Sequence, residues 1–167
     1  MAGRIFVLAA LLAAITPAVA AGPQRTSAVF DDWTVICSFP GDKPKQCEIV
    51  SIQTMPGQNN PFGQISINHP DKNAAYKLTV QTPPNAWLPT GVKLMFDEKD
   101  DGAAATFKWC AGTRCLADGD VSKAVMKKII ARSLPGSFTF KDSAQNDISV
   151  PVSFKGFTQA MEAMDSQ

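Results

Sequence analysis

Ile148-Ser149-Val150-Pro151-Val152-Ser153-Phe154 is the stretch that decides the fold class. Ile148, Val150, Val152 and Phe154 fall on one face of an extended chain, and Ser149, Pro151 and Ser153 on the other. Alternation of period two describes a half-buried strand, because successive side chains point to opposite faces. Pro151 has no N–H to donate to a ladder, so the strand belongs at an edge or a bulge. After Gly156 the period changes. Phe157, Ala160, Met161 and Met164 recur at i, i+3, i+4 and i+7, the apolar stripe of a short helix over 157–164 that covers one end of a core.

Working backwards, the same strand pattern recurs between clusters of Pro, Gly, Asn and Asp. Trp33–Cys37, Gln46–Gln53, Gln64–Asn68, Tyr76–Gln81, Val92–Phe96, Thr106–Cys110 and Ser137–Lys141 all read as short strands. Met55–Gly63 reads as a loop throughout. A second helix is expected from Val121 to Arg132, capped by Asp120, with Val121, Val125, Met126 and Ile129 inward. Many short strands and frequent turns make the chain mainly β, an antiparallel sandwich or barrel with two short helices. Trp87, between the prolines of Thr82–Pro89, suits a stiff binding platform or a plug between sheets, and the plug is the expectation, because large aromatics dominate cores.

The first residues set the compartment. Met1–Arg4 is a short basic start, Ile5–Ile15 an unbroken apolar run, and Ala18-Val19-Ala20 a small-x-small site. This is a secretory signal peptide over 1–20, too short in its apolar part to span a bilayer. Residues 21–32 read as a lead-in and 33–164 as one domain. Without Arg4, 15 basic residues balance 15 acidic ones. Nucleic acid and anionic membranes, which demand a basic surplus, are therefore poor partners. No second long apolar run exists, so the mature chain has no transmembrane helix. A periplasmic or secreted location follows, and an association with the outer membrane stays compatible with it.

Four cysteines, Cys37, Cys47, Cys110 and Cys115, would meet an oxidising compartment. Three connectivities exist. Cys37–Cys47 and Cys110–Cys115 are favoured, because each pair brackets a run of turn residues, Phe39–Pro44 in one case and Ala111–Arg114 in the other. The spacings do not suit a structural zinc site, which prefers C-x2–4-C knuckles, and no C-x-x-C redox pair is present.

Three further stretches carry a family likeness. They are Trp33–Cys37 with Cys47-Glu48-Ile49; Leu88–Leu94 leading to Trp109-Cys110 and Cys115-Leu116-Ala117; and the ending Val150–Ala160. Together they resemble the invasion-associated locus B family of secreted bacterial proteins, from about Trp33 to Met164. Arg114 and Phe154 depart from the residues the family often has, Gly and Leu. The resemblance implies an immunoglobulin-like antiparallel β-sandwich in a Gram-negative envelope. In some members it implies a role in entry into host cells. It implies no catalytic residues.

Nothing in the sequence supplies a catalytic constellation or calls for a cofactor. His69, the single histidine, sits in the turn-like run Asn68–Asn73 and reads as a surface residue. The acidic run Asp97–Gly102 lacks the ligands of a calcium loop at Lys99 and Lys108, and no metal site is expected. The expected function is non-enzymatic binding of a protein partner, in the envelope or on a host surface, linked to invasion or to envelope function. An outer-membrane structural protein is the alternative, and a periplasmic enzyme a more distant one. Two surfaces are candidates for contact: Phe62 in the long polar loop, and the basic helix face of Lys123, Lys127 and Lys128.

Overall fold

Trp33, Val35 and Cys37 turn to one side of the strand Trp33–Phe39, and all three are buried. Their partners across the sheet continue the same inward rows. Val35 faces Ile49, Ile49 faces Ile67, and Ile67 faces Leu78. Each member of that row is buried. Ile36, Glu48, Asn68, Lys77 and Asp120 form a row on the opposite face. Alternation in the sequence is thereby converted into one apolar and one polar sheet face.

The computed structural model describes residues 24–41, 43–96, 102–130 and 135–167. The expected leader at 1–20, the acidic residues Asp97–Asp101 and the expected helix end at Arg132 lie outside the described residues. Among the described residues the strands are β1 (Gln24–Phe30), β2 (Trp33–Phe39), β3 (Gln46–Thr54), β4 (Pro61–Asn68), β5 (Tyr76–Thr82), β6 (Val92–Met95), β7 (Ala103–Ala111), β8 (Arg114–Val121), β9 (Gly136–Lys141) and β10 (Asp147–Val152). Two helices follow, α1 (Lys123–Ile130) and α2 (Phe157–Asp165).

All pairings are antiparallel, in the order β1-β2-β3-β4-β5-β8-β7-β6-β9-β10. The ladder folds over at β7. Ala103–Ala105 pair with β6, whereas Thr106–Ala111 pair with β8. A larger layer, β1 to β5 with β8, thus faces a smaller one, β6, β9 and β10, and β7 belongs to both. Phe62 of β4 meets Phe140 of β9 across the interior, with ring centroids 6.4 Å apart. Gly119 of β8 permits the fold at β7: a Cβ there would strike the Ala104 carbonyl oxygen.

The smaller layer leaves part of the larger one uncovered, and α2 fills that space. Phe157, Ala160, Met161 and Met164 are buried there, as the stripe requires. Trp33 meets Phe157 edge-on at 4.9 Å and donates its indole N–H to the Ser153 carbonyl at 2.9 Å. Phe154 stacks on the same indole at 6.3 Å. Disulfides join Cys37 to Cys47 and Cys110 to Cys115, each pair directly opposite across a hairpin.

Several local expectations change. The lead-in at 21–32 contains β1, an edge strand whose residues Gln24–Val29 are all exposed. Arg114–Val121 is a strand, so Asp120 caps no helix. It pairs with Lys77 at 2.5 Å, while Ser122 Oγ accepts the N–H of Val125 and starts α1 two residues late. The loop after β3 ends at Asn60, and Phe62 lies in β4, half-buried against the core. Trp87 is 37% exposed and leads into a 3-10 turn at Leu88–Thr90 instead of plugging the sheets.

Candidate binding surfaces

α1 presents Lys123, Lys127 and Lys128 to solvent, while Met126 and Ile129 are buried beneath. Cations in its last turn also suit the negative end of the helix dipole. The face does not stand alone. Lys123 Nζ donates to the Lys72 carbonyl at 2.6 Å, which brings the β4–β5 turn against α1. Lys72 Nζ in turn donates to the Asp165 carbonyl at the end of α2, at 3.1 Å. Lys45 reaches the same end through the Gln167 side-chain oxygen, and lies 5.5 Å from the centre of the Phe39 ring. One end of the molecule therefore gathers Lys45, Lys72 and Lys123 from separate parts of the chain, with Lys127 one turn further along α1.

Under these lysines lies a small polar cluster. His69 is only 9% exposed in its side chain and stacks on Tyr76, with ring centroids 4.0 Å apart. Its Nδ1 lies 3.3 Å from one Asp165 carboxylate oxygen, and the Tyr76 hydroxyl donates to the other at 3.2 Å. A carboxylate only accepts, so this contact is a hydrogen bond in the tautomer with the proton on Nδ1. Nε2 is buried without a hydrogen-bond partner among the described residues. Burial pushes the Tyr76 phenol up from its ordinary value, and the Asp165 charge and hydrogen bond push it further. The expected surface histidine is thus a docking residue for the end of α2.

The neighbouring sulfur, Cys47, is in a disulfide, and the Tyr76 hydroxyl donates to the same carboxylate as His69. Among the described residues no group of three or more His, Cys, Asp or Glu could hold a metal ion. No helix among them is long and apolar enough to cross a membrane. Phe62, the other candidate contact, is half-buried and shares its ring surface with Phe140. Sequence reasoning missed Lys72, Tyr76 and Asp165, because no spacing rule relates a turn to a helix end 96 residues away.

The outer face of the larger layer offers a different surface. Ile52 and Trp109 stand 60% and 52% exposed there. A groove of about 580 Å³ runs beside Ile52 and is bordered by Asp31, Asp32 and Pro151.

A family model described as invasion associated locus B (IalB) protein matches residues 33–165. The chain belongs to the invasion-associated locus B family. The match reaches from Trp33 to Asp165 and so spans both ends of the buried cluster. No curated protein matches the sequence. Among solved structures, the chain is similar to the invasion associated protein B of Bartonella henselae. That likeness has a TM-score of 0.73 at 14% identity, and it covers 84% of this chain and 95% of the other. At that identity it speaks for the fold, mainly β with an antiparallel sheet.

Proposed function

We propose that the protein is a secreted binding module of a Gram-negative envelope, without a catalytic duty, that docks an acidic protein surface through its basic end. The observation that carries this reading is the Lys123–Lys72 contact, which joins the α1 cations to the β4–β5 turn in one patch. A patch of one sign steers a partner of the other and sets the docking orientation. The exposed part of the half-buried Phe62, at the far end of β4, enters as a secondary contact. Two disulfides support a location outside the cytoplasm. The family name, and the name of the Bartonella protein, support a role in contact with host cells.

The outer-membrane barrel is less well supported. The outward row carries Glu48, Lys77 and Asp120, charges that a lipid-facing surface does not accommodate. The inward face is filled by side chains and helices.

The test is capture of envelope or host-surface proteins by the immobilised chain, with cross-links mapped to residues. Changing Lys123, Lys127 and Lys128 to Glu together should weaken capture about tenfold and flatten its salt dependence, with the melting temperature held. Unchanged capture, or cross-links that avoid α1 and the β4–β5 turn, would discard the surface. Turnover of a substrate, abolished by one change that leaves the fold intact, would overturn the non-enzymatic reading.

A further inference from the structure

The two edges of the ladder differ. β10 carries Pro151, which has no N–H to donate, and the charged Asp147. Such features block a further strand. β1 carries neither proline nor acid. Its sequence is Gln24-Arg25-Thr26-Ser27-Ala28-Val29-Phe30, with one charge, and among the described residues it is paired with β2 on one side only. Val29 is 72% exposed.

The disulfide fixes which backbone groups of β1 are free. Cys37 and Cys47 lie directly opposite with Cα atoms 4.1 Å apart. That is the spacing of a non-hydrogen-bonded pair, about 4.5 Å against about 5.5 Å for a bonded one. The N–H and C=O of Cys37 therefore turn away from β3 and towards β1, where Thr26 is opposite. By alternation, Arg25, Ser27 and Val29 turn their N–H and C=O groups to the open edge.

We propose that β1 pairs with β1 of a second copy, antiparallel about a two-fold axis at Ser27, so that the sheet continues across the dimer. In this register Ser27 faces Ser27 of the second copy, and Arg25 faces Val29. All three residues with outward groups are then satisfied on both copies. The register also suits the charge. The two Arg25 side chains stand four residues apart, roughly 13 Å along the strands, beyond the ~8 Å screening length of physiological salt. A register centred on Arg25 would set the two cations face to face. Val29 shares a sheet face with Thr34 and lies across from the aliphatic stem of Arg25 of the second copy. One pair of seven-residue strands covers less than the roughly 1,200 Å² of a stable interface. The association is therefore weak and visible only at high concentration.

Sedimentation equilibrium of the chain exported with its own leader, from micromolar to millimolar, tests this. The wild type should pass from monomer to dimer within that range, and no larger species should form. Ser27→Pro removes an outward N–H and should leave a monomer. Val29→Lys places a cation opposite Arg25 and should weaken dimerisation at least tenfold while keeping the melting curve. Ser149→Lys, on the guarded edge, should leave dimerisation unchanged. A wild type that stays monomeric to millimolar concentration overturns the proposal. So does a dimer that survives Val29→Lys, or one that is lost in Ser149→Lys.

Discussion

Replacing Trp33 with Phe removes one hydrogen bond and part of one ring at the point where β2, β10 and α2 meet. The indole is fully buried, donates to the Ser153 carbonyl at 2.9 Å, and meets Phe157 at 4.9 Å. A lost hydrogen bond of this kind costs about 1 kcal/mol. Phenyl is smaller than indole by about three heavy atoms, and unfilled space of that size costs about 2 kcal/mol more. The sum is about 3 kcal/mol. For a domain of this length it lowers the melting temperature by roughly 10 °C. Thermal and urea denaturation of the variant measure it. A loss below about 1 kcal/mol would show that the pocket closes around the smaller ring and that the indole N–H is dispensable. A double-mutant cycle with Phe157→Leu isolates the ring contact, which should couple by about 0.5–1.5 kcal/mol. Strict additivity would refute the role given to the edge-on pair.

Tyr76 is the only tyrosine in the chain, so phenolate absorbance reports it alone. Its titration should lie above the ordinary value of 10.0 and fall back part of the way in Asp165→Asn, with the share due to burial remaining. A raised folded value means that this group's contribution to stability is complete below pH 10 and is lost as pH rises through the folded value. Unfolding should therefore become easier with alkali above pH 10 in the wild type, and less steeply so in Asp165→Asn. Phe62→Ala should cost about 1–2 kcal/mol in denaturation, because half of that ring packs on the core; an unchanged melting curve would return Phe62 to the free surface. Gly156 has φ +76°, and a Cβ there would strike the Phe30 carbonyl oxygen, so Gly156→Ala should cost at least about 1–2 kcal/mol.

Strands with one buried face were legible because burial writes itself as alternation. Trp33–Cys37 and Ile148–Phe154 are the clear cases. β1 was not legible, since Gln24–Val29 are exposed on both faces and only backbone bonds to β2 hold them extended. β8 was hidden by Asp118-Gly119-Asp120, which has the composition of a turn. Its glycine is there for the fold at β7, and its acids pair with Lys108 and Lys77 on the sheet surface. The expected cap of the helix, Asp120, lies in this strand, and Ser122 takes its place. Lys123 and Lys127 could be placed on a helix face from spacing alone. Their junction with Lys72, and the burial of His69 under the end of α2, are tertiary events that no local pattern encodes.

Because β7 threads both layers, neither layer is a module in its own right. Cutting the chain within β7 would strip one layer of the strand it shares. The domain should therefore melt in a single transition, and the amides of Ala105 and Thr106, at the handover, should exchange with solvent only through global opening. Insertions are tolerable at the hairpin tips but not within Ala103–Ala111. For anyone grafting or splitting this scaffold, the usable breakpoints lie in the turns, and a two-fragment version reassembles only if β7 stays whole in one piece.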